Sequence, residues 1–460
     1  MMKKIKICFL HNCVDGVDKA LKDLGIRKES FPVEFVWEDE EPDVLIATEL
    51  IYTDIFMYNK FCKLYNKARV CIYRAGECIA PDMNLFDYAI VLDKNLKCED
   101  RIIKMPTRLF FSDYIFQKEN VMVGKEAYIR RKIQDKKFCN YIYSNGFGHN
   151  NRTRIFHLLN DYKHVDSLGK YLHNTDDELK VDSGLGFRLM IKECIEVKEN
   201  YKFSVAFENA TYNGYTSEKI FSSLEAHTVP IYWGNPLIGE EINPNAFINC
   251  HDFTSLEEVI EEVKRIDCDD ELWIKMVCSP WKTKEQEERE RVEIEEYYEY
   301  IEHIFTQPID KARRRGEGFH PNRYQEWFFQ TQANNYKFQC YHDVEIKWIE
   351  NLRKGKSVGE YFRKNGYKSV VIYGMGQLGI ALFDEIKLLR DVSVLYAIDQ
   401  GSPKVSDELE VYKMDQIVNK EKPDIIVITV PHLVSQIETE LRKVYACKCI
   451  SILNVVSDCV

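Results

Sequence analysis

FSVAFENATYNGYTSEKIFSSLEAHTVPIYWGNP, residues 203–236, reads as a strand, a polar loop, the opening of a helix and a second strand. The apolar run before Glu208 and the run Val229 to Trp233 are short and bounded by turn residues, which is how strands of a covered sheet are written. In a doubly wound sheet, ligands bind beyond the carboxyl ends of the strands, where helix N-termini offer unpaired N–H groups. The loop Glu208 to Ser217 falls at such an edge. Ser217 can cap the helix, and Lys219 lies in its first turn, where a cation opposes the helix dipole. Either an anion sits there, a nucleotide diphosphate being the one suited to the fold, or the lysine pairs with a nearby carboxylate.

Outward from this segment the same alternation continues. From Lys4 to Pro106 the runs KIKICFL, VEFVW, DVLIAT, RVCIYRA, DYAIVLD and RIIKMP alternate with helical patterns. A second series starts at Lys137 and a third after Val358, so the chain is expected to be α/β with three Rossmann-like units. At 460 residues and ~150 residues per domain, the expected divisions are 1–136, 137–306, a helical and basic-aromatic connector at 307–350, and 351–460. Residues 281–305 carry the spacing of a long amphipathic helix. The stretch DKARRRGEGFHPNRYQEWFF after it is a solvated linker or, through 311–329, a peripheral contact with anionic lipid.

A net charge of -11 excludes a broad nucleic-acid surface, which needs Lys and Arg clustered over one face. The fifteen cysteines are scattered without a C-x-x-C pair, so zinc ribbons and thioredoxin-like chemistry drop out and reduced, structural thiols are expected. MMKKIKICFLHN reads as a first strand and not as an export leader. No run approaches the ~18 apolar residues of a membrane span. A cytoplasmic location, bacterial and at most peripheral to the inner membrane, is expected.

The blocks Phe207-Glu208-Asn209, Tyr215-Thr216-Ser217-Glu218-Lys219 and Val229-Pro230-Ile231-Tyr232-Trp233-Gly234 together resemble the signature of the α1,3/4-fucosyltransferases of glycosyltransferase family 10, in the Helicobacter-like bacterial form. Two further blocks match it: SNGFGHNNRTRIFHLLN (144–160) and RAGECIAPDMNLFDYAIVLD (74–93). The resemblance implies a GT-B fold, two Rossmann-like domains facing across a cleft, with a third, C-terminal one added. It implies GDP-fucose as donor, an oligosaccharide acceptor, no required cofactor and no metal. It places Lys219 at the diphosphate, Glu218 near guanosine or ribose, and Asn209, Tyr215 and Ser217 among the donor contacts. Arg152 matches the arginine that grips the diphosphate; the loop runs one residue longer here, so Arg154 competes for the role. Either guanidinium can hold two phosphate oxygens in its fork.

Glu77 matches the family's general base. An acceptor hydroxyl is a poor nucleophile, and a carboxylate taking its proton is worth ~10²–10⁴ in rate. Where bacterial members continue with Asn, Glu and Ser, this chain has Cys78, Ile79 and Ala80, which touches the acceptor side. The expected products are Lewis-type α1,3/4-fucosylated N-acetyllactosamine units on surface lipopolysaccharide or related glycans. Asp267-Cys268-Asp269 has Asp-x-Asp spacing, but at the end of a charged helix it reads as a solvated turn.

KSVVIYGMGQLGIALFDE carries Gly374, Gly376 and Gly379 between a strand and a helix, with Asp399 ending the next strand about 20 residues on, the parts of a dinucleotide fingerprint. The module either binds a nucleotide or serves packing and docking. It also defines the competing functions: an NAD(P)-dependent sugar-modifying oxidoreductase, or a non-catalytic sugar-nucleotide sensor.

Overall fold

The computed structural model describes residues 3–26, 31–111, 125–176, 187–401, 408–444 and 447–459. The chain divides into two compact units, Met1–Gly318 and Phe319–Val460. The first unit holds two parallel sheets. In one, β1 (Lys3–Leu10), β2 (Val33–Trp37), β3 (Val44–Ala47), β4 (Val70–Arg74), β5 (Tyr88–Val91) and β6 (Ile102–Lys104) run in the order β2-β1-β3-β4-β5-β6. β3, β4 and β5 are buried along their whole length. Parallel strands are covered on both faces, which is why VLIA, VCIYR and YAIV do not alternate. The charged exception, Arg74, pairs with Asp23 at 3.0 Å.

In the other sheet, β7 (Lys137–Tyr141), β8 (Val165–Ser167), β9 (Tyr201–Phe207), β10 (Val229–Trp233) and β11 (Ile248–Asn249) run in the order β11-β10-β9-β7-β8. Strand order reverses between β7 and β9, and a reversal opens a crevice between the two departing loops. Residues 144–150 and 208–217 are those loops. Two doubly wound parallel sheets in one unit make the GT-B arrangement.

The helix Lys284–Thr306 serves both sheets. Thr283 and Gln286 form a capping box at its start, and the Gln286 side chain donates to the Gly239 carbonyl at 2.9 Å. Its far end delivers Tyr297, Ile301, Ile304 and Phe305 into the core of the first sheet. Of the arginines that follow, Arg313 is exposed, while Arg314 and Arg315 turn back onto the first sheet. Arg313 pairs with Glu317, Arg314 holds Asp100 with two bonds of 2.8 Å, and Arg315, 4% exposed, lies 3.4 Å from buried Asp87. Asp87 also accepts from the backbone N–H of Arg314 and Arg315. A buried carboxylate demands such partners, and it takes them from the basic stretch.

The second unit opens with a helix of 35 residues, Phe319–Arg353, where the sequence reading had a connector. Pro321 falls in its first turn, where no intrahelical N–H bond is lost, and neither Gly nor Pro interrupts the remainder. Val344 and Trp348 anchor it in a core shared with β12 (Ser369–Tyr373), β13 (Ser393–Ile398) and β15 (Ile425–Ile428). With β14 (Val411–Tyr412) and β16 (Cys449–Ser451), these form a parallel sheet ordered β14-β13-β12-β15-β16. Among the described residues no helix is long and apolar enough to cross a membrane.

Candidate functional site

The carboxyl edge of the second sheet is organised by a buried carboxylate. Glu208, fully buried directly after β9, accepts from Ser217 N at 2.8 Å and Ser217 Oγ at 2.6 Å. Ser217 caps the helix Glu218–Glu225, so Glu208 fixes where that helix begins. Lys219 Nζ donates to Ser217 Oγ at 2.9 Å and Glu218 Oε1 at 3.1 Å, and lies 3.4 Å from Glu208 Oε2. Burial works against its charge, but Glu218 and Glu208 outweigh burial and hold the ammonium above the usual lysine range. Burial pushes Glu208 up, whereas at Glu218 the Lys219 charge overcomes burial and pulls the carboxyl down. Glu218 is therefore the counter-ion, and Glu208 the more easily neutralised partner. The lysine is paired with carboxylates, the second of the two sequence alternatives, and stands at a helix entrance.

Across the switch point, β7 leads into the loop 144–150 and the helix Asn151–Tyr162. Arg152 is 6% exposed, its guanidinium 4.3 Å over the Tyr143 ring and donating to the Phe207 carbonyl at 3.2 Å. Its Nε is buried with no hydrogen-bond partner among the described residues. A buried, unsatisfied charged donor is costly, and an anionic ligand would supply what it lacks. Tyr143 is raised to about 12 by burial, against the opposing charges of Arg152 and Lys219; both cations thus surround one phenol. Arg154, by contrast, is exposed and ion-paired with Glu257. The structure brings Arg152 and Lys219 together and leaves Arg154 outside.

Glu77 enters from the other sheet, three residues beyond β4. Its Oε2 accepts from Asn209 Nδ2 at 3.1 Å and from the Tyr215 hydroxyl at 2.8 Å. The adjoining Gly76 N–H is held by Glu49 Oε2 at 2.8 Å. Close approach of the sheets depends on Gly214, whose φ of +83° suits glycine and whose missing Cβ would lie 2.3 Å from the Leu92 carbonyl. Asn235 Oδ1 pins the Gly214 N–H at 2.8 Å.

Sequence reading gave no role to Glu208, Tyr143 or Asn235. Glu208 was within reach as the charged member of Phe-Glu-Asn between a buried strand and a cap; nothing local signals that Tyr143 bonds Val205, 62 residues away, or that Asn235 bonds Thr216, 19 residues away. Nor did spacing announce the stack of His149, Trp233 and His251, with ring centroids 4.8 and 6.1 Å apart. Asp267-Cys268-Asp269 is solvated at Cys268 and Asp269, which are exposed, but not at the Asp267 side chain. Asp267 is 4% exposed and bonded by Lys163 and Lys202, while Asp269 caps the next helix. Among the described residues no cluster of three His, Cys, Asp or Glu is arranged to hold a metal.

In the second unit the glycine loop follows β12. Gly374 has φ +97° and a missing Cβ that would lie 2.5 Å from Val430 Cγ2; beside Gly376 there is open space. The loop could take a phosphate. Asp399 is differently engaged from a ribose-reading acid: Oδ2 accepts from Met375 N and Oδ1 from Gly401 N, both at 2.7 Å.

Two doubly wound sheets bringing a carboxylate from one side and helix-entrance cations from the other are the layout of the GT-B fold. Residues 132–311 match the model of glycosyltransferase family 10 (fucosyltransferase), C-terminal part. An alpha-(1,3)-fucosyltransferase of Helicobacter pylori is 30% identical over 229 residues, 44% of each chain. The human GDP-fucose protein O-fucosyltransferase 3 is 31% identical over 158 residues, 33% of this chain and 31% of that one. The chain spans less than half the length of the curated relatives it matches. A crystal structure of an alpha1,3-fucosyltransferase with GDP-fucose aligns over 65% of this chain and 91% of that one, with TM-score 0.49 and 21% identity.

Proposed function

We propose that this chain transfers L-fucose from GDP-fucose to a glycan hydroxyl with inversion, α1,3/4 on the N-acetylglucosamine of an N-acetyllactosamine unit, and does so in the bacterial cytoplasm. The observation that carries the reading is the meeting of Glu77 with Asn209 and Tyr215, four residues before the ammonium of Lys219 in the same segment. A base and a leaving-group clamp then flank one space. The acceptor oxygen attacks the anomeric carbon while Glu77 takes the hydroxyl proton. The bond to the β-phosphate breaks and its electron pair leaves with GDP. Lys219 and Arg152 are in place beforehand to stabilise that charge, which is how fixed donors lower a barrier. No cofactor takes part.

The test is incubation with GDP-fucose and a panel of acceptors, read by mass spectrometry. The panel includes peptide hydroxyls, because relatives named for protein O-fucosylation match about a third of this chain. A mass gain of one deoxyhexose on an N-acetyllactosamine acceptor, undiminished by EDTA, is the expected result. Turnover of GDP-fucose with no acceptor product, or binding of GDP-fucose with no turnover, overturns it.

A further inference from the structure

Resting on the transfer reading, we infer that Tyr215 and Asn209 are positioning residues for the Glu77 carboxylate and not the donor contacts that the resemblance implies. Both donate to the same oxygen, Oε2, at 2.8 and 3.1 Å. One carboxylate oxygen offers about two lone-pair sites, so these two bonds fill Oε2 and leave Oε1 to take the hydroxyl proton. The two donors come from the loop after β9, whereas the carboxylate comes from the end of β4. The base is thus aimed from across the cleft by the loop that also begins the Lys219 helix.

The chemistry of each donor suits the task. Burial and the neighbouring Glu208 and Glu77 carboxylates hold the Tyr215 phenol far above its ordinary range, so it remains an O–H donor throughout the working pH range. Asn209 cannot ionise, and its backbone carbonyl receives His149 N–H at 2.9 Å, which fastens the residue to the loop preceding Arg152. Glu77, Asn209, Tyr215 and Arg152 therefore form one connected structure. A displacement of the base by about 1 Å can cost 10²-fold, so the loss should fall on turnover and not on capture of the nucleotide.

Tyr215→Phe removes one oxygen and preserves the ring. Steady-state kinetics in GDP-fucose and acceptor, with GDP binding by calorimetry, should show kcat lowered roughly 10- to 100-fold. KM for GDP-fucose and Kd for GDP should stay within about twofold. Asn209→Ala should show the same split, which guards against a peculiarity of one variant. A raised KM at unchanged kcat, the pattern of a simple donor contact, overturns the inference, as does no change in either. Wild-type protein that fails to transfer fucose sinks the transfer reading itself; wild type that transfers while Tyr215→Phe equals it sinks this inference alone.

Discussion

The loop after β9 and the glycine loop after β12 occupy equivalent places, each leaving the carboxyl end of a strand at a switch point of a parallel sheet and entering a helix. Their polar groups are treated in opposite ways. In the first, charge is gathered and left incompletely satisfied: Lys219 shares two carboxylates, and Arg152 Nε and Asn209 Oδ1 are buried without protein partners among the described residues. In the second, the loop satisfies itself. Asp399 takes the N–H groups of Met375 and Gly401, and Thr429 Oγ1 donates to the Gly374 carbonyl. Buried polar groups without partners cost free energy, and at the loop after β9 a bound sugar nucleotide would complete Arg152 Nε.

The largest effect that would test this contrast is at Glu77. Glu77→Gln keeps the size and the bonding oxygen but takes no proton, and transfer should fall by at least ~10² while GDP affinity stays within about twofold. Retained transfer would mean that another group removes the hydroxyl proton. Loss of GDP binding in step with transfer would mean that Glu77 serves the donor.

Next in size is the pair Arg152 and Arg154. Arg152→Ala removes a charge-assisted partner from the proposed phosphate site, worth about 1.5–3 kcal/mol, and should weaken GDP binding roughly 10- to 100-fold in calorimetry. Arg154→Ala breaks an exposed ion pair with Glu257, of the kind worth under about 1 kcal/mol, and should leave GDP affinity unchanged. If both variants lose affinity equally, the geometry around Tyr143 does not define the phosphate site.

Much of this was readable in the chain itself. Continuous apolar runs named the parallel strands, and Ser217 before an amphipathic stretch named the cap. The resemblance put Glu77, Arg152 and Lys219 on the list before any coordinate. What escaped was whatever depends on pairing at long range. Nothing in Arg-Arg-Arg says that Arg315 will lie beside Asp87, 228 residues earlier, and so a buried brace reads as a solvated or lipid-facing patch. Likewise Arg152 and Arg154 are chemically equal in sequence. Only the helix phase, which turns one toward Phe207 and the other toward Glu257, separates them. The connector was expected to be helical, but that it is one helix of 35 residues joined to the last core escaped because its polar middle, QTQANN, shows no apolar stripe.

The smallest effect on activity lies in the glycine loop, and it is the sharpest test of the comparison. Asp399→Ala withdraws two bonds of 2.7 Å to backbone N–H groups. If Asp399 is a brace, the variant should lose about 2 kcal/mol of stability in the second unit, a fall of a few degrees in Tm, with fucose transfer unchanged. Added NADH should raise the wild-type Tm no more than it raises that of the variant, since ligand stabilisation scales with occupancy of the folded state. A wild-type Tm that climbs with NADH while the Asp399→Ala protein does not respond would show the carboxylate reading a ribose. The two loops would then differ in ligand and not in kind.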